Sequence, residues 1–96
     1  MKHKPIEYFH FISVMNGNRY FKVNWEQGSC IQIVFNAGKL KKGRPHCLGV
    51  HHLAISSFRG TYHHYIGKKY VHTNLLMTTE NQFNKALDEM FNLLKK

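Results

Sequence analysis

The sequence predicts an α+β fold, a twisted antiparallel sheet of about five strands with one C-terminal amphipathic helix packed on one face. Three observations carry this. The last stretch places apolar residues at helical spacing, the first half alternates apolar and polar residues, and turn dipeptides separate the alternating runs.

The helix is the clearest element. Phe83, Ala86, Leu87, Met90, Phe91 and Leu94 fall on one stripe, with Asn84, Lys85, Asp88, Glu89, Asn92 and Lys95 opposite. Thr79 and Gln82 have the spacing of a capping box, and Glu80 stands where the helix dipole favours negative charge. The predicted span runs from about Thr79 to Lys95. An apolar stripe must lie on something, and the rest of the chain reads as strands. Phe21, Val23, Trp25, Ile31, Ile33 and Phe35 are the expected partners beneath it.

Residues 6–15 are rich in β-branched and aromatic types, and Asn16-Gly17 after them is a strong hairpin signal. The return strand, Arg19 to Trp25, alternates: Phe21, Val23 and Trp25 point one way, Tyr20, Lys22 and Asn24 the other. Residues 26–29 turn the chain into a third strand, Cys30 to Phe35. Residues 36–45 (NAGKLKKGRP) read as a loop. Four basic side chains, Lys39, Lys41, Lys42 and Arg44, repel one another there unless an anion is present. His46 to Ile55 makes a fourth strand. Thr61 to Ile66 and Lys69 to Leu76 flank Gly67-Lys68 as a further predicted hairpin.

Residues 1–96 read as one domain, since the chain is long enough for one modest core. Net charge is +9. From Thr79 onward Lys85, Lys95 and Lys96 balance Glu80, Asp88 and Glu89, so the excess lies before residue 79. A helix covering one sheet face would then leave the other face cationic, which favours an anionic partner. The predicted hairpin interleaves rings and cations: Tyr62, His64, Lys68, Lys69 and Tyr70. Bases stack on such rings and phosphates pair with such cations, although the same composition also makes an ordinary exposed strand face.

Cys30 and Cys47 form no CxxC pair and read as buried or idle thiols of a reducing compartment. The N-terminal stretch is no signal peptide, and no run reaches membrane-spanning length, so a cytoplasmic bacterial or phage protein without a membrane partner is expected. The eight histidines lack the spacing of a zinc site, because neighbours such as His51-His52 and His63-His64 point to opposite faces of a strand. They read instead as surface groups that add charge below neutral pH. No metal, cofactor or catalytic residue is assigned. Tyr65-Ile66-Gly67 resembles half the signature of the GIY-YIG endonucleases, but that family needs an arginine further along and none follows Gly67.

From Leu48 onward the chain resembles the ethylene-response-factor type of DNA-binding domain and its phage integrase-arm relatives. The resemblance rests on Gly49-Val50, Phe58-Arg59, Gly67-Lys68-Lys69 and the helix residues Thr79, Phe83, Ala86, Asp88 and Glu89. It implies three antiparallel strands on one C-terminal helix, with the sheet facing DNA. Leu48 and His51 stand where that family's base-reading arginines would be.

The functional expectation is a small nucleic-acid-binding protein gripping phosphates through Lys22, Lys39, Lys41, Lys42, Arg44, Arg59, Lys68 and Lys69, with Tyr62, His64 and Tyr70 against bases and sugars. A second class is a protein-interaction inhibitor that docks on an acidic or nucleic-acid-binding host protein. A third is a metal-independent ribonuclease using His63 or His64 with Tyr62 or Lys68. A free edge strand also allows a homodimer by sheet extension.

Overall fold

The structure, a computed structural model, describes residues 5–13, 17–35, 48–68 and 73–95. Among these residues five strands and two helices follow one another: β1 (Ile6–Ser13), β2 (Gly17–Asn24), β3 (Ser29–Val34), β4 (Gly49–Ala54), α1 (Ile55–Tyr65), β5 (Thr73–Thr78) and α2 (Glu80–Leu94). They form one antiparallel sheet in the order β4-β3-β2-β1-β5. The first four strands make a meander. The chain then crosses the sheet through α1 and lays β5 beside β1.

The turns form for the reasons their residues suggest. Gly17 opens β2 at φ 88° and pairs with Ser13. Between β2 and β3, the Asn24 Oδ1 accepts from the Gln27 amide at 2.9 Å, and Gly28 takes φ 72° where a side chain would strain the backbone. At the start of α2 the Thr79 hydroxyl accepts from the Gln82 amide at 3.2 Å, which is the Thr79 half of the expected capping box.

The sheet is covered on both faces, not on one. Phe9, Phe11, Phe21, Val23, Cys30 and Leu75 meet Phe58 of α1 on one side. On the other, Ile33 meets Phe83, Ala86 and Met90 of α2, with Tyr8, Tyr20, Ile31, Phe35 and Val50 packed around them. Alternation along each strand feeds both cores. The expected partners of α2 therefore divide: Ile31, Ile33 and Phe35 lie beneath it, while Phe21, Val23 and Trp25 lie beneath α1. Phe91 and Leu94, counted in the stripe, are exposed.

The predicted hairpin over residues 61–76 is corrected as well. Residues 55–65 are helical, and Ile66 makes only an isolated parallel bridge to Leu75. Ile55, Phe58, Tyr62 and Tyr65 recur at helical spacing and turn one stripe onto a sheet face whose centre, Phe9, Phe11, Phe21, Val23, Cys30 and Leu75, is apolar. That burial outweighs the strand preference of the local aromatics and the breaking tendency of Gly60. The described residues between 48 and 94 run strand, helix, strand, helix, whereas the ethylene-response-factor resemblance implies three strands before its helix.

Candidate nucleic-acid interface

Helix α1 sorts its side chains by angle. Arg59 and His63, four apart, share one outer flank. Ser57, Thr61 and His64 share the other. Arg59, His63 and His64 are exposed, and beyond Gly67 (φ 74°) Lys68 is exposed too. Its amide donates to the Tyr65 carbonyl at 3.1 Å, which ties this cation to the helix end.

No aspartate or glutamate occurs between Glu26 and Glu80, so β3, β4, α1 and β5 carry none. Among the described strand residues of the α1 face, the carboxylate is Glu7, and its Oε1 accepts from the Trp25 indole Nε1 at 2.7 Å. Glu7 pairs with Val23 while Arg19 pairs with Phe11, so the two charges sit toward opposite ends of the β1–β2 ladder. Glu80, Asp88 and Glu89 all belong to α2, on the other face. Burial, helped by Glu80 and by Glu89 respectively, raises the phenol pKa of Tyr8 and Tyr20 on that side. The two covered faces of the sheet are therefore electrostatically unlike.

Beside α1 lies an open cleft of about 370 Å3. The helix starts at the Ala54 end of β4 and finishes against β5, which leaves one corner of the face beside it instead of under it. Arg19, Phe21, Gln32 and Leu53 form the floor, and Ser57, Thr61 and Tyr65 the helix wall. Arg19 Nη1 donates to Gln32 Oε1 at 3.1 Å, and Gln32 is only 7% exposed, so the guanidinium is held by a buried partner. His51 stands opposite Gln32 in the β3–β4 ladder and shares its face.

The predicted site residues separate. Arg59, His64 and Lys68 share the α1 side. Lys22 lies on the α2 side of the sheet, where it pairs with Tyr8 and Ile31, and cannot join them. Tyr62 is half-buried against the core, its ring edge-on at 5.6 Å from Phe9 and 5.3 Å from Trp25. Lys39, Lys41, Lys42, Arg44, Lys69 and Tyr70 lie outside the described residues, as does Cys47.

Arg19, Gln32 and Thr61 were not predicted. The signal was a polar residue on the apolar-facing row of each of two adjacent strands, Arg19 before Phe21 and Gln32 between Cys30 and Val34. Cys30 is buried, and desolvation pushes its thiol up to about 12, which keeps it protonated and inert at neutral pH. Among the described residues no group of three or more His, Cys, Asp or Glu side chains could hold a metal ion. No helix there is long and apolar enough to cross a membrane.

No family model, curated protein or solved structure matches this chain.

Proposed function

We propose that the protein binds nucleic acid along the outer surface of α1, with Arg59, His63, His64 and Lys68 facing the phosphates. The observation that carries this reading is the carboxylate-free stretch between Glu26 and Glu80, which supplies the exposed side of α1 and the helix wall of the cleft beside it. A polyanion meets cations there without meeting a competing acid. Arg59 and Lys68 support the reading from the α1 side, while Glu80, Asp88 and Glu89 belong to α2 on the opposite face.

The reading is tested by titrating short DNA and RNA oligonucleotides against salt. Release of condensed counterions predicts a log–log slope of about −3 to −5, and Arg59→Ala or Lys68→Ala each lowers its magnitude by about one. Binding that ignores salt, or slopes that neither substitution moves, would refute it.

A further inference from the structure

We propose that the cleft beside α1 receives one unpaired nucleotide, so that the protein prefers single strands to duplexes. This rests on the reading of α1 as the strand-binding surface and adds to it the form of nucleic acid bound. Three features of the cleft fit such a guest. Its volume, about 370 Å3, suits one small planar group with a phosphate attached. Its wall and floor bring Tyr65 and Phe21 together with hydroxyls on Ser57 and Thr61. Arg19 supplies a guanidinium, which suits planar, bidentate recognition of phosphate and stacks on bases.

The position of the cation matters as much as its charge. The Gln32 carbonyl holds Arg19 from below at 3.1 Å, so the guanidinium is oriented before a ligand arrives. Among the described residues that line the cleft none is a carboxylate. Ser57, Thr61 and His64 lie along the same flank of α1, so a strand following that flank passes the mouth. A base paired in a duplex cannot leave its stack to enter without paying for unpairing, whereas an unpaired base enters directly.

The test compares wild type with Thr61→Phe, which fills the cleft without touching charge, and with Arg19→Met. Affinities for a single-stranded oligonucleotide and for a hairpin duplex of equal phosphate number are measured at one salt concentration. Thermal unfolding checks that each variant is folded. The expected result is a loss of about tenfold or more for the single strand in both variants, with duplex affinity changed by less than about twofold in Thr61→Phe. Adenosine 5′-monophosphate titrated into wild type should shift the amide signals of Arg19, Gln32, Thr61 and Tyr65. If both strand forms bind equally, Thr61→Phe alters neither and the nucleotide shifts nothing, the cleft proposal fails while the α1 surface stands. If wild type binds no oligonucleotide even at low salt, the α1 reading fails and takes this proposal with it.

Discussion

Replacing Phe58 by alanine removes the residue that joins α1 to the sheet. Its ring is 1% exposed and lies 4.9 Å from Phe21, 5.3 Å from Phe9 and 5.9 Å from Trp25. Deleting a buried phenylalanine side chain costs about 3–5 kcal/mol, since the transfer free energy is lost and a cavity remains. Each ring pair forfeited adds to this, so the upper half of that range is expected. A domain of this size holds about 5–14 kcal/mol in total, so the variant should fold, but with much of its margin gone. Urea unfolding followed by tryptophan fluorescence reads the change directly, because Trp25 is the one tryptophan and touches Phe58. The midpoint should fall sharply with little change in slope. A loss below about 1 kcal/mol would mean that α1 does not seal this face and that the two-sided core is wrong.

Met90→Asp should abolish folding, because Met90 is the α2 residue fully buried against the sheet, whereas Phe91→Asp, one residue on, should cost less than about 1 kcal/mol; circular dichroism melts separate the two. Thr79→Ala should lower stability by about 0.5–2 kcal/mol through loss of the cap on the Gln82 amide, measured by urea titration, with Thr79→Ser restoring most of it. Raising the pH should destabilise the fold from about pH 9 upward. Cys30 has a raised thiol pKa in the folded state, so its contribution is complete below the unfolded value and is lost as pH climbs toward about 12. Tyr8 and Tyr20 push the same way, and Cys30→Val should flatten part of the alkaline decline. In the folded protein Cys30 should also resist a thiol reagent that labels it at once in denaturant.

The sequence made the local turns and α2 legible because each is decided by near neighbours. Asn24, Gln27 and Gly28 close their turn among themselves, and Thr79 caps a stripe that needs no distant information. Helix α1 was hidden because its evidence was split. Ile55, Phe58, Tyr62 and Tyr65 carry helical spacing, but Ala54 gives the helix start no side-chain cap and Gly60 sits in its middle. What decides the matter is the second apolar face of the sheet, visible only once the strands are paired. The cleft was out of reach for a related reason. Arg19 and Gln32 are thirteen residues apart and meet through the β2–β3 register. The charge asymmetry is a property of residues before 79 in the sequence alone, but the sheet face expected to display it is covered by α1.

The placing of β5 beside β1 bears on how the protein is made. On a ribosome the first strand emerges early and can pair with β2, yet its other side has no neighbour until residues 73–78 follow. Until then that hydrogen-bonding edge is open to any extended chain nearby, the condition in which nascent sheets aggregate. Closure joins segments about sixty residues apart, which makes the last docking step slow relative to the hairpins before it. Partly synthesised chains ending before β5 should therefore be the species most prone to self-association.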